Sequence, residues 1–516
     1  MINVTSFYFF VLLSAGVILY YIFPKKLQWA VLLACSTVYY VCAATPYTII
    51  YLVVSTAIAY VSAIFMENEK RRNGVSSPYV LRAALAAVSA NVAIWFFLKG
   101  SSYWVDGSAM LHSIFPGIPV LKPLPLVGAL GMGYYTAQVI AYILDVYRDT
   151  TQPQRNPLKL FLFVCFFPQL TVGPISRYDD LKVLYEPHSV SYLNLCFGCQ
   201  RILWGLFKKL VISDRLGIIV SGIWADTAKY NGIWIWAAVL LYPLRLYTDF
   251  SGCMDIILGA AELFDIHLRE NFNSPFFARN TQEFWQRWHI TLGTWARDYV
   301  YYPVLKSRFL ISIGKKTKKK YGKRAGKLIP WILGMAVLWF VMGFWHGSVQ
   351  HIAGVSLWFF SMLVLSELFK PLLTAIVKKT GIRTDTLSWH IFQSSRTYFV
   401  YSLGAVAFSA AGMAEAMEHY RLLIGSFGQW NPWVLFDSSV LSLGVTWQDI
   451  NIILTGVLLL VIVAVLREKF GYARLWMKEQ NLAFRWIIWI ALFVFVVIYG
   501  LYGEGYDSSV FIYQGF

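Results

Sequence analysis

The sequence predicts an all-α polytopic membrane protein. Of 516 residues, 58% are apolar and only 14% charged, whereas a soluble domain carries roughly a quarter charged residues; mean hydropathy is +0.56. Residues 6–23, 47–65, 80–98, 329–345, 351–369 and 482–501 are long apolar runs, near the roughly 20 residues that a helix needs to cross a hydrocarbon core. Backbone polar groups inside lipid must bond within the chain, so such runs are helices and not open strands.

The first run lacks the basic start and the small-residue cleavage site of a signal peptide and reads as a retained first span. Segments 124–145, 160–172, 198–220, 233–246 and 256–264 are short, or interrupted by Gly, Gln, Asp and Pro. At membrane depth such backbone is tolerated only where protein or a water-filled cavity covers it. Re-entrant or tilted helices around a central cavity are therefore expected, with about eleven spans in all. No internal repeat is visible, which speaks against the repeat-built transporter folds.

A net charge of +17 would suggest nucleic acid in a soluble protein. Here no nucleic acid is expected, because cytoplasmic loops of membrane proteins accumulate Lys and Arg. Basic clusters stand at Lys25 and Lys26, at Lys70 to Arg72, across 306–327, at 370–383 and at 467–478, and all five are assigned to the cytoplasm. The intervening loops, 44–46, 100–121 and 413–449, are poor in positive charge, the last holding Glu415, Glu418, Asp437 and Asp449 against Arg421. That alternation places both chain ends outside. The six cysteines lie in or beside apolar stretches and read as small buried hydrophobes; Cys196 and Cys199 form a lone CxxC with no second pair to complete a zinc set. No metal is expected.

Ionisable groups inside apolar spans are costly and mark function by default. His346 follows the uncharged stretch 331–342, and His289 sits among Trp285, Trp288 and Trp295. An imidazole titrates near pH 6.5, so it can accept a proton from an attacking hydroxyl and return it. On the residues alone, each of the two is either such a base or a hydrogen-bonded packing residue. The other six, His112, His188, His267, His351, His390 and His419, fall in or near loops and segment ends.

Several motifs occur in order: Phe166-Phe167-Pro168-Gln169 with Gly173-Pro174-Ile175-Ser176-Arg177, Tyr247-Thr248-Asp249-Phe250-Ser251-Gly252, Asn271-Phe272-Asn273-Ser274-Pro275-Phe276, Glu283 to His289, Arg297-Asp298-Tyr299 and Trp345-His346-Gly347. Together, from about Gly131 to Gly354, they resemble the membrane-bound O-acyltransferase superfamily, in particular its bacterial alginate O-acetyltransferase-like branch, with the lipoteichoic acid D-alanyltransferase type as neighbour. The resemblance implies a family-type helical bundle with His346 as catalytic histidine, His289 as the second, supporting residue, and cytoplasmic and extracytoplasmic funnels meeting at His346. Gln286 departs from a frequent basic residue, and the polar Ser348-Val349-Gln350 follows the His-Gly pair. The implied organisation is 1–123 as N-terminal transmembrane helices, 124–354 as catalytic core, 355–501 as C-terminal transmembrane helices and 502–516 as an extracytoplasmic tail. Residues 384–445 carry no motif that can be placed.

The expected activity is carriage of an acetyl group from a cytoplasmic thioester, acetyl-CoA or an acyl-carrier protein, for O-acetylation of an extracellular or cell-wall polysaccharide. D-alanyl transfer to teichoic acid is the alternative, and a transporter or lipid-linked glycan flippase the reading of another class. No bound cofactor is expected, and a separate extracytoplasmic acetyltransferase is the expected partner, in a bacterial cell membrane. Residues 315–327 hold eight basic side chains and no acidic one. Lys315, Lys316, Lys318, Lys319 and Lys320 either follow from topology, with anionic headgroups as neighbours, or recruit the anionic donor by charge. The C-terminus, with Phe511, Ile512, Tyr513 and Phe516, is too apolar for a solvated tail. It resembles the F.Y..F ending of this branch, which makes Tyr513 a candidate acyl relay; the plainer reading is an interfacial anchor.

Overall fold

The computed structural model describes residues 3–122, 127–435 and 437–503. Among them the regular structure is helical, and the single β contact is an isolated antiparallel bridge between Phe272 and Trp288. Among the described residues seven helices are long and apolar enough to cross a membrane: Lys25–Ala43, Pro46–Asn73, Pro78–Lys99, Arg308–Trp345, His351–Thr380, Trp447–Phe470 and Leu482–Tyr499. In Leu482–Tyr499 only 6% of the apolar window is buried, and Ile487, Phe493 and Ile498 stand 64%, 58% and 62% exposed. Water would not tolerate so continuous an apolar face. The chain is an integral membrane protein.

The expectation of about eleven spans counted segments that are short or polar in the structure. Phe7–Ile22 has 16 residues. Segments 233–246 and 256–264, expected to be separate, are one helix, Ile233–Glu262, with Pro243 inside it and Arg245, Asp249 and Asp255 along it. Hydropathy alone breaks this helix in two because its charged turns are satisfied by partners far away in sequence.

The chain forms two compact units, each discontinuous in sequence. The first comprises Met1–Asp214, Tyr247–Glu270 and Lys469–Phe516, the second Arg215–Leu246 and Asn271–Glu468. In the first unit the helix Met132–Tyr147 is buried nearly all round, with Tyr134, Tyr135 and Tyr142 in the core. Its last turn is closed by Lys70, whose Nζ donates to the carbonyls of Val146 (2.7 Å) and Tyr147 (2.9 Å) and pairs with Asp149 at 2.7 Å. A cation there meets the carbonyls that a helix C-terminus leaves over.

Helices Tyr192–Leu206 and Ile233–Glu262 approach along a glycine seam. A Cβ on Gly205 would stand 2.5 Å from the Gly252 carbonyl, and one on Gly259 would stand 2.6 Å from the Gly198 carbonyl. Small residues two turns apart on both helices let the backbones touch, a contact that replaces the hydrophobic drive missing in lipid. Just beyond Gly205 the helix widens into a π-helical segment, Phe207–Ser213. Consecutive residues of an α-helix point about 100° apart, yet both Lys208 and Lys209 are buried here. Lys208 Nζ reaches Asp255 at 2.5 Å and the Ser251 carbonyl and hydroxyl at 2.8 and 2.9 Å. Lys209 Nζ lies 2.6 Å from Asp249 and 2.9 Å from Asp214. Arg201 joins the cluster through Asp255 (3.0 Å) and Glu270 (2.6 Å). The Leu210 carbonyl, within the π segment, accepts from the Leu501 N–H at 3.0 Å.

In the second unit Arg308–Trp345 is two helices joined at Gly322, which has φ +89°. The basic stretch expected as a loop is thus a helical hairpin. Gly314 and Gly326 let its arms close, since a Cβ on Gly326 would come 2.5 Å from that of Lys318.

Removing one partner from a buried ion pair strands the others, at about 3–5 kcal/mol. Lys209→Met, which removes the ammonium at 2.9 Å from Asp214 and 2.6 Å from Asp249, is expected to lose stability on that scale. Thermal melting in detergent tests it, and a native-like melting temperature would contradict the account of the cluster.

Candidate active site

His346 caps the C-terminus of Arg308–Trp345, its N–H bonded to the Gly343 carbonyl at 3.2 Å. Gly347 follows with φ +89°, a backbone that only glycine adopts without strain, so the chain reverses directly after the histidine. It returns as a π-helical segment, His351–Ser356, leading into Leu357–Thr380. The two arms nearly touch: a Cβ on Gly343 would stand 2.4 Å from Ser356 Oγ and 2.9 Å from Ile352 Cα. That approach brings the His351 ring to 5.3 Å from the His346 ring, with planes 25° apart. Phe408 meets both rings edge-on, at 5.1 and 4.5 Å. His346 is half-buried and His351 is buried.

His289 is held by different means. Its φ is +46°, a left-handed conformation that costs a non-glycine residue of order 1 kcal/mol or more. The backbone around it pays this through the bridge of Phe272 to Trp288, flanked by Asn273 N–H to the Arg287 carbonyl (2.9 Å) and Ile290 N–H to the Asn271 carbonyl (3.0 Å). Asn271 Oδ1 gathers the Thr291 N–H (3.0 Å), the Thr291 hydroxyl (2.9 Å) and His289 Nδ1 (3.3 Å). An acceptor at Nδ1 selects the tautomer with its proton there. Phe284 and Trp288 stack at 5.6 Å, and Trp288 lies 5.3 Å from Tyr401, so aromatic residues of the Glu283–His289 motif pack into a cluster with Tyr401. Arg287 ties the short helix down through Glu283 (2.9 Å) and Glu468.

Trp345 links the two histidines, its ring 4.9 Å from His346 and 6.0 Å from His289. The structure therefore brings both sequence-chosen imidazoles to one indole. Lys315, Lys316, Lys318, Lys319 and Lys320 are all exposed and lie elsewhere, near the hairpin tip at Gly322. From Lys323 to Trp345 the helix is about 34 Å long at 1.5 Å per residue. Tyr513 lies outside the described residues. Sequence reading missed His351, placed with the loop histidines, and Phe408, in the stretch without a motif. The polar run after Gly347 was the only signal for the first, and nothing local points to the second.

A family model for MBOAT, the membrane-bound O-acyltransferase family, matches residues 150–317, a stretch that includes His289 and ends before His346. Over 357 residues the chain is 28% identical to a probable alginate O-acetylase AlgI of Pseudomonas putida, covering 69% of this chain and 67% of that one. It is 30% identical over 287 residues to a peptidoglycan O-acetyltransferase of Helicobacter pylori, half of each chain. Residues 150–317 of the chain are a membrane-bound O-acyltransferase family domain. The chain is also similar to a teichoic acid D-alanyltransferase of Bacillus subtilis, 29% identical over 48% of this chain and 64% of that one. The match thus spans between half and two thirds of these relatives' lengths. O-acyl transfer is the family's reaction class, and a pair of imidazoles around one indole suits the proton transfers it needs.

His289 lies outside the seven apolar helices, and burial pushes its imidazole down to about 3. An unfolded histidine titrates near 6.5. Between those values only the unfolded chain binds the proton, so stability falls as pH drops below about 6.5, by at most about 1.4 kcal/mol per unit. The melting temperature should therefore decline from pH 7 to pH 5.5, and less in His289→Asn, since Asn tolerates the left-handed backbone and does not titrate. Equal declines would mean that His289 is not buried neutral.

Proposed function

We propose that the protein carries an acetyl group from a cytoplasmic thioester to a hydroxyl destined for a polysaccharide outside the bacterial cell membrane. The observation that carries this reading is the placement of His346. It stands at one end of a helix of membrane-crossing length, and the exposed basic hairpin stands at the other. An anionic donor such as acetyl-CoA or an acidic acyl-carrier protein is drawn to the hairpin by charge, while the base faces the opposite side. Acetyl is preferred to D-alanyl because the match to the alginate O-acetylase covers 69% of the chain, against 48% for the D-alanyltransferase.

In the proposed reaction His346 takes the proton of the acceptor hydroxyl as its oxygen attacks the thioester carbonyl. The C–S bond then breaks, and the imidazolium returns the proton to the departing thiolate. His289, neutral and oriented by Asn271, supports the site as a hydrogen-bonding residue. The acceptor hydroxyl is proposed to be that of Tyr513 in a first transfer, which would hand the acetyl to a separate extracytoplasmic transferase; a phenol titrates near 10 and needs such a base.

His346→Ala is expected to lower CoA release from acetyl-CoA about 10²–10⁴-fold in membranes that contain the acceptor, with an unchanged melting temperature. A retained rate would end the reading of His346 as the base, whereas membranes that release no CoA even with the unaltered protein would favour a transporter. In the same membranes Tyr513→Phe should abolish glycan acylation together with an acyl adduct on the C-terminal peptide; near-normal acylation would eliminate the relay.

Replacing Lys315, Lys316, Lys318, Lys319 and Lys320 together by Gln should weaken donor use at low salt and change little at high salt, because exposed charges are screened beyond about 8 Å at physiological ionic strength. An unchanged apparent KM for donor at low salt would leave the hairpin with topology alone.

A further inference from the structure

We propose that His351 is a positioning residue for His346: its ring is one wall of an aromatic cage that stabilises the imidazolium formed when His346 takes the substrate proton. The inference rests on the reading of His346 as base and goes beyond it. Among the described residues, rings next to the His346 imidazole include Trp345, Phe408 and His351, three with centroids at 4.9 Å, 5.1 Å and 5.3 Å. Trp345 and Phe408 stand nearly perpendicular to it, at 77° and 83°. His351 alone of the three lies face to face, at 25°. An aromatic face attracts a cation within about 6 Å of its centroid, by about 0.5–1 kcal/mol where water reaches it and about 2 kcal/mol where it does not, and the half-buried His346 lies between these cases. A charge present only after proton transfer makes that attraction specific to the transition state, which is what raises kcat.

Two devices hold the His351 ring in this attitude. Ser348, at the turn after Gly347, is hydrogen-bonded to His351 Nδ1 and stops the ring from rotating. The π-helical segment and the bare Gly343 together bring the returning chain close enough for the rings to stack. Phe408 packs against both rings, 4.5 Å from His351 and 5.1 Å from His346. His351 is 5% exposed, so its ring is packed against protein and not against solvent.

The test uses the full-length protein in membranes that contain its acceptor, with CoA release from acetyl-CoA as readout. His351→Ala should lower kcat about 2- to 30-fold, the range that a loss of about 0.5–2 kcal/mol predicts, with the KM for acetyl-CoA unchanged. His351→Phe keeps the aromatic face without the ring nitrogens and should restore most of the rate. If the Ala variant does not fold, His351→Asn, which keeps a bond to Ser348 without the ring, takes its place. A normal kcat in the variant lacking the ring overturns the proposal. So does a Phe variant as slow as Ala, which would assign the role to a ring nitrogen. The parallel His346→Ala measurement separates the two failures: if it keeps its rate, the base reading falls and the cage with it, whereas an inactive His346→Ala beside a fully active His351→Ala refutes the cage alone.

Discussion

Lys209 Nζ sits 2.6 Å from Asp249 and 2.9 Å from Asp214 with all but 2% of its side chain buried, and the architecture of the first unit is arranged around keeping that ammonium paired. In lipid no water waits to solvate a misplaced charge, so the backbone must deliver donors and acceptors to one another before the helices close. The glycine seam of Gly198, Gly205, Gly252 and Gly259 brings the two helices into backbone contact. The π segment then turns two consecutive lysines inward onto carboxylates one helix away. The Tyr247–Gly252 motif thereby acquires a physical role as the acidic and glycine half of a lock, distinct from the histidine chemistry.

The same device recurs where chemistry is proposed. π-helical turns are uncommon, and they concentrate at functional places because one extra residue redirects the side chains around it. Here they occupy Phe207–Ser213, Arg297–Tyr301 and His351–Ser356. The third starts at His351, and together with the glycine at 343 it decides what the His346 ring touches. In Phe207–Ser213 the irregular backbone is tolerated because all seven of its residues are buried in protein.

Within the second unit the two histidines are held by opposite strategies. His289 is locked in a left-handed backbone and tethered through Asn271, in surroundings that keep it neutral. His346 hangs on a helix end, half-buried, with rings around it. A fixed neutral ring beside a more accessible one fits a division between support and proton transfer, and Trp345 is the shared wall.

By itself the sequence determined the solvent, the helical class and the chemical repertoire. Apolar runs of membrane length can only be helices, and a histidine at the end of an uncharged span is conspicuous because burial of an ionisable group is costly. The ordered motifs pointed to the family, and they named Asn271, His289 and His346 without saying which would meet. Tertiary structure alone decided the rest. Segments 233–246 and 256–264 are one helix because Asp249 and Asp255 find lysines that hydropathy cannot foresee. The basic run is a helical hairpin because Gly314 and Gly326 permit close approach. His351 and Phe408 reach His346 through a reversed chain and a helix some sixty residues on. Side-chain proximity across such distances depends on packing angle and helical register, and a local pattern of hydrophobicity carries neither.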